Sequence, residues 1–210
     1  MNIFSAMFPP KCPVCRKISR EGKKGVCISC RTEFDRLYCP RAVLNVENAE
    51  FCTAVFPYDS ESVRSIIFRL KERSPQKLID FASEYLAKAV FQNDSLSKAT
   101  LVTYVPRRRA AVRANGVDQA KYLAESLADR LGLPCRTLLT VTRKSQRQHS
   151  LGRTERRRNV RGLYAAREKL PYDSVILIDD IVTTGATASE AAKVLKKSGA
   201  DSVYVLSLAH

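Results

Sequence analysis

The chain has 210 residues, 45% of them apolar, which fits one α/β domain with a small appendage and excludes a chain disordered throughout. No uncharged apolar run approaches the roughly 20 residues that span a bilayer. The apolar stretch 1–10 lacks the basic flank of a signal peptide, so the expectation is a cytoplasmic protein without membrane insertion. Lys and Arg number 36 against 21 Asp and Glu, a net charge of +15, and such a field draws polyanions or phosphorylated ligands.

Residues 1 to about 45 are rich in Cys, Lys, Arg and Gly, show no long apolar period, and are too few to hold a core without a staple. Cys12-Pro-Val-Cys15 and Cys27-Ile-Ser-Cys30 supply one: two C-x2-C pairs with eleven residues between them. Each pair can sit on a tight turn and point two thiolates at one ion. Four sulfurs in a tetrahedron suit structural Zn²⁺ and leave no open position for catalysis; an iron–sulfur cluster is the alternative occupant. Cys39 and Cys52 lack such partners, so one zinc is expected, not two. The expected division is a zinc-ribbon domain over 1–48 and a second domain over 49–210.

From Phe51 the pattern changes. Residues 51–56 read as a strand, and 60–70 as a helix with Val63, Ile66, Ile67 and Leu70 on one face. Ser74 and Pro75 read as N-cap and first residue of a second helix, whose apolar set runs from Leu78 to Ala89. Residues 101–105 predict a strand ending at Pro106. Residues 119–131 predict a helix with Tyr122, Leu123, Leu127 and Leu131 inward and Gly132 closing it. Strands are expected at 137–141, 175–178 and 203–208, with a helix opened by the capping-box pattern Thr187-Ala-Ser-Glu190 and ended by Gly199. Alternating strands and helices predict a mostly parallel sheet with helices on both faces.

The most informative segment is Val175-Ile-Leu-Ile-Asp179-Asp180-Ile-Val-Thr183-Thr184-Gly185-Ala186-Thr187. An apolar strand runs into two adjacent carboxylates, then a small-residue loop, then a helix N-terminus. Backbone N–H groups in such a loop form an anion nest, and the helix dipole adds to it. Three threonine hydroxyls stand ready to donate. Two carboxylates suit a vicinal diol, and ligands of open α/β sheets bind at this end of the strands. Phosphate and diol held a few residues apart suggest a ribose 5-phosphate.

These thirteen residues resemble the motif with which type I phosphoribosyltransferases bind 5-phosphoribosyl 1-pyrophosphate (PRPP). The resemblance implies that Asp179 and Asp180 hold the ribose 2- and 3-hydroxyls. It implies that Thr183, Thr184, Gly185, Ala186 and Thr187 hold the 5-phosphate. The wider pattern is similar to the ComF family, which joins an N-terminal zinc ribbon to a type I phosphoribosyltransferase domain. Val105-Pro106 before three arginines, the Gln148…Leu151…Glu155-Arg156…Asn159-Val160 series, and Lys71 after its apolar run carry that similarity. One stretch departs: the family's Arg-Gly-Phe-Asn-Gln is Asn115-Gly116-Val117-Asp118-Gln119 in this chain.

Arg107, Arg108 and Arg109 follow a strand where a type I enzyme places its diphosphate loop, and guanidinium groups bind such oxygens bidentately. Residues 143–161 hold eight basic residues, Arg143, Lys144 and Arg156 among them, against one acid, Glu155. In type I enzymes a mobile loop in this region closes over PRPP, and the resemblance implies that role. Arg107, Arg108, Arg143, Lys144 and Arg156 are thus the expected catalytic cations, stabilising the departing diphosphate. Mg²⁺ is implied by the need to neutralise that group. Two readings stay open: transfer of phosphoribosyl to a nitrogen acceptor, or a non-catalytic adaptor in DNA uptake or recombination. Partner proteins and single-stranded DNA belong to the second reading, although the basic loop lacks an aromatic for stacking before Tyr164. A homodimer is compatible with either.

Overall fold

The structure, a computed structural model, describes residues 10–19, 25–72, 75–107, 112, 117–142, 160–171 and 173–210. Its strands are β1 (Arg41–Leu44), β2 (Phe51–Phe56), β3 (Leu101–Tyr104), β4 (Leu139–Val141), β5 (Tyr164–Ala166), β6 (Ser174–Ile181) and β7 (Ser202–Ala209). Its helices are α1 (Ile28–Leu37), α2 (Glu61–Glu72), α3 (Gln76–Phe91), α4 (Gln119–Leu131) and α5 (Ala186–Lys197).

Five strands form the central sheet in the order β1-β2-β7-β6-β3. β2, β7, β6 and β3 run parallel, and β1 closes the edge antiparallel to β2. The apolar run at 175–178 behaves as a strand buried on both faces must. Ile176 and Ile178 join the core beneath α1–α4, whereas Val175 and Leu177 join the core beneath α5 and the β4–β5 hairpin. Helices therefore cover both faces of a mostly parallel sheet, as expected.

The cysteine-rich segment shares the larger of these cores. Cys12, Val14, Val26, Cys27 and Cys30 pack in one cluster with Val55 and Phe56 of β2. Phe34 of α1 is fully buried and meets Phe56 and Phe81 edge-on at 5.1 and 5.2 Å.

Several elements differ from the sequence expectation. α1 went unread because only Cys30 and Phe34 of its ten residues are buried, too sparse a stripe to register as a period. β1 and β5 are likewise too short to carry a pattern. Pro75 occupies the N-cap of α3, one position before its expected place, and Ser74 lies outside the described residues. Tyr122 stays 39% exposed, while Leu123 and Leu127 go inward. The expected capping box does not form. α5 starts at Ala186 with Gly185 as its N-cap in the left-handed region (φ 73°), so Thr187 already sits inside the first turn.

Candidate functional site

β6 delivers both acids to the end of the sheet. Its pleat sets Asp179 in the row of Val175 and Leu177, in register with Ser207 of β7, and Asp180 in the row of Ile176 and Ile178. The Asp180 N–H donates to Asp179 Oδ1 at 2.9 Å. Asp180 Oδ2 accepts from Gln119 Nε2 at 2.8 Å and pairs with Lys71 Nζ at 3.1 Å.

This arrangement makes the two carboxyls unequal. Burial lifts Asp179 well above the usual carboxylate range, and the charge of Asp180 and the hydrogen bond between the two groups push the same way. Burial would also lift Asp180, but Lys71, the Asp179 hydrogen bond and Gln119 outweigh it and hold Asp180 below the usual range. Asp179 is thus the weaker acid of the pair, and the two titrate together.

A cleft of about 420 Å³ opens over these groups and is lined by Lys71, Arg107, Gln119, Tyr164, Asp179, Asp180 and Thr187 among others. The Arg107 N–H donates to Asp118 Oδ2 at 3.1 Å, and burial raises the Asp118 carboxyl. Three polar atoms beside this cleft, Arg107 Nη1, Asp118 Oδ1 and Gln119 Oε1, are buried without a hydrogen-bond partner among the described residues. Such atoms are costly unless a ligand or water satisfies them.

The loop after β6 turns at Gly185 into α5. The first backbone bond of the helix runs from Ser189 N–H to Gly185 O at 2.8 Å, and the N-cap Gly185 brings no side chain to cap the first turn. Ala186 N–H lies 3.5 Å from Thr184 Oγ1. Glu190 instead accepts the Gly162 N–H at 2.7 Å. An uncapped helix N-terminus of this kind favours an anion. Thr184, Gly185 and Ala186 face a second cleft of about 230 Å³, closed on its far side by residues 45–48 between β1 and β2. Thr187 lines the first cleft and Thr183 is exposed, so the loop touches both spaces.

Of the expected cations, Arg107 lines the cleft. Arg108, Arg143, Lys144 and Arg156 lie outside the described residues, with the whole of 143–159. The stem from which that segment leaves is described: Thr142 N–H bonds Leu163 O at 2.9 Å, beside Val141 and Val160 on the cleft wall. Sequence reasoning noted Lys71 and Gln119 only as matching positions. Their role was unread because it depends on helices α2 and α4 meeting Asp180 in space; a glutamine at the start of a helix and a lysine ending an apolar face were the only signals.

The four cysteines of the two C-x2-C pairs come together. Their sulfurs lie within 4.8 Å of one another, with Cys12–Cys30 at 3.9 Å and Cys15–Cys27 at 3.8 Å. Sulfurs 2.3 Å from a tetrahedral zinc stand about 3.8 Å apart, so the cluster fits the ion. Cys12 and Cys15 sit on a turn fastened by Cys12 N–H to Lys17 O and Arg16 N–H to Cys12 O, and Cys27 precedes α1. N–H groups of Val14 and Cys27 point at Cys12 Sγ, each at 3.4 Å. Burial raises the Cys12 thiol, but such backbone donors outweigh it and bring it down to about 7. Among the described residues this is the one group of metal-binding geometry. Cys39 is exposed, and Cys52 is fully buried in β2 with its thiol pushed up to about 12 by burial and then by Asp179.

Residues 3–56 match the double zinc ribbon domain family, and residues 117–209 match the phosphoribosyl transferase domain family. Competence protein F of Haemophilus influenzae is 31% identical over 98 residues, which are 45% of this chain and 43% of that protein. The chain therefore spans less than half the length of that relative. DNA utilization protein YhgH of Escherichia coli is 24% identical over 219 aligned positions, covering 94% of this chain and 95% of the relative. Among solved structures, the adenine phosphoribosyltransferase of Thermoanaerobacter pseudethanolicus aligns over 85% of this chain and 98% of its own, at 16% identity and a TM-score of 0.40. The chain thus carries a double zinc ribbon domain followed by a phosphoribosyl transferase domain, with homologues named Competence protein F and DNA utilization protein YhgH.

Proposed function

We propose that this protein binds PRPP and transfers its phosphoribosyl group to a nitrogen acceptor with release of diphosphate. The observation that carries the reading is the acidic pair Asp179–Asp180 at the end of β6, one loop away from the uncapped N-terminus of α5. The pair accepts the two ribose hydroxyls. The backbone and hydroxyls from Thr183 to Thr187 take the 5-phosphate, whose charge the helix dipole favours. Arg107, on the wall of the cleft, takes the diphosphate.

In the reaction an acceptor nitrogen forms a bond to the anomeric carbon while the bond to the diphosphate oxygen breaks, and that oxygen leaves with the electron pair. Positive charge around the leaving group is the main requirement. Mg²⁺ on the diphosphate would supply further neutralisation. Arg108, Arg143, Lys144 and Arg156 join this task on the strength of the sequence alone. The zinc is structural and holds the ribbon.

The relatives' names favour a second reading, in which the same site regulates an adaptor for DNA uptake that also meets single-stranded DNA or a partner protein. Calorimetric titration of the zinc-loaded protein with PRPP and Mg²⁺ tests both. Binding lost in Asp179→Asn/Asp180→Asn supports the site, and binding retained in that variant overturns it. Diphosphate release with a nitrogenous base supports transfer. PRPP binding without release under any acceptor favours the adaptor.

A further inference from the structure

Among the described residues, two side chains reach the acidic pair from outside the β6–α5 segment, and both meet the same atom. Asp180 Oδ2 receives Gln119 Nε2 at 2.8 Å and Lys71 Nζ at 3.1 Å. Their freedom differs. Gln119 is 2% exposed, fixed between α4 and the sheet. The Lys71 side chain, in the last turn of α2, keeps 34% of its surface exposed and lines the cleft.

A hydroxyl that donates to Asp180 competes for that oxygen. The buried amide stays, because leaving would strand a second polar atom beside its already unpartnered Oε1. The ammonium, a compact charge on a flexible stem, is the donor that yields. Once displaced in a partly desolvated cleft it needs another anion. A ligand that brings a hydroxyl to Asp180 and a charged oxygen within reach of the same cleft satisfies both. The second phosphate-bearing end of PRPP is such a group, and Arg107 stands on the wall of the same cleft as a further cation.

We propose that Lys71 is a ligand-binding residue that exchanges the Asp180 carboxylate for a diphosphate oxygen when a ribose hydroxyl arrives at Asp180. Unoccupied, the lysine keeps the acid ionised and in place; occupied, it reads the diphosphate. This rests on the PRPP reading of the site, so the test compares two ligands that share the ribose and 5-phosphate and differ in the diphosphate.

Full-length, zinc-loaded wild type, Lys71→Met and Lys71→Arg are titrated with PRPP and with ribose 5-phosphate, both with Mg²⁺. Lys71→Met weakens PRPP at least tenfold more than it weakens ribose 5-phosphate, and Lys71→Arg restores most of the difference. Equal loss of both ligands means that Lys71 only supports Asp180 and overturns the proposal while leaving the site intact. No binding of either ligand by wild type overturns the PRPP reading itself, and the proposal with it. Zinc content and melting temperature check that the variants fold. Should Lys71→Met fail that check, Lys71→Gln, which keeps an amide donor toward Asp180 without the charge, is read by the same ratio.

Discussion

Glu190, in the first turns of α5, accepts the Gly162 N–H at 2.7 Å. This single bond ties the helix that follows the phosphate loop to the turn before β5. Thr142 strengthens the same turn by donating its hydroxyl to Gly162 O at 3.0 Å. The far end of the glutamate also lies 3.8 Å from Lys193. A residue that the capping pattern assigns to the helix itself thus serves the hairpin beside it.

Glu190→Ala is expected to lower stability by about 1 kcal/mol, the ordinary net value of such a bond. Glu190→Gln keeps an oxygen acceptor for Gly162 and should lose less. Urea unfolding of both variants measures the difference. Equal losses would show that the bond to Gly162 contributes nothing of its own.

Asp179 makes a sharper prediction because its sign is fixed. Its folded-state pKa is raised, first by burial and then by Asp180, above the ordinary carboxylate value of 3.8. The folded state therefore binds a proton that the unfolded state has released, and stability falls as pH rises toward the folded value. Asp179→Asn removes that dependence. The variant should melt above wild type at pH 8 and converge with it below about pH 4, where both states of the wild-type residue are protonated. The same substitution should weaken PRPP binding, since the diol loses a carboxylate. Parallel melting curves across pH for the two proteins would sink the assignment of the proton to this group.

The acidic pair and its loop were legible in the sequence because every element of that site is contiguous: four apolar residues, two acids, a glycine-bearing turn and a helix start. The helix start itself was misplaced by two residues, since the Thr187…Glu190 pattern satisfies a capping rule that Gly185 pre-empts by taking the left-handed conformation. What surrounds the pair was not legible. Lys71 and Gln119 belong to helices read correctly from their apolar faces, but those faces say nothing about which polar residue at a helix end meets β6. The cysteine ligands were readable from spacing, whereas their place in the same core as Phe56 was not. That core includes α1, whose two buried residues leave no periodic trace.

The shared core gives the metal a long reach. Because Cys12, Cys27 and Cys30 pack with Phe34, Val55 and Phe56, loss of zinc should loosen the helical face of the sheet as well as the ribbon. Removal of the ion by a chelator, or Cys12→Ser, should lower the melting temperature by roughly 10 °C, the shift that about 4 kcal/mol produces in a chain of this length. Cys39→Ser should leave both zinc content and melting unchanged, as Cys39 is exposed and apart from the cluster. Metal analysis should give one zinc per chain. Two would mean that residues beyond the four paired cysteines complete a second site.

Gly185 separates two contributions that are usually confounded. Its φ of 73° disfavours any side chain, and a Cβ there would stand 3.2 Å from Val46 Cγ2 and 3.6 Å from Leu44 Cδ1. Gly185→Ala therefore meets backbone strain of about 1–2 kcal/mol together with crowding against the β1–β2 turn. Val46 is 2% exposed, so Val46→Ala alone costs stability by leaving a void. In the double variant the new methyl fills part of that void and the crowding vanishes, while the φ strain remains. The double variant should accordingly be more stable than the sum of the single losses, and should differ from Val46→Ala only by the strain less whatever the refilled void returns. Strict additivity would mean that Val46 does not press on the phosphate loop. Residues 45–48 and Gly185 line one cleft, so Gly185→Ala, which keeps both strain and crowding at the phosphate loop, should bind PRPP more weakly than Val46→Ala.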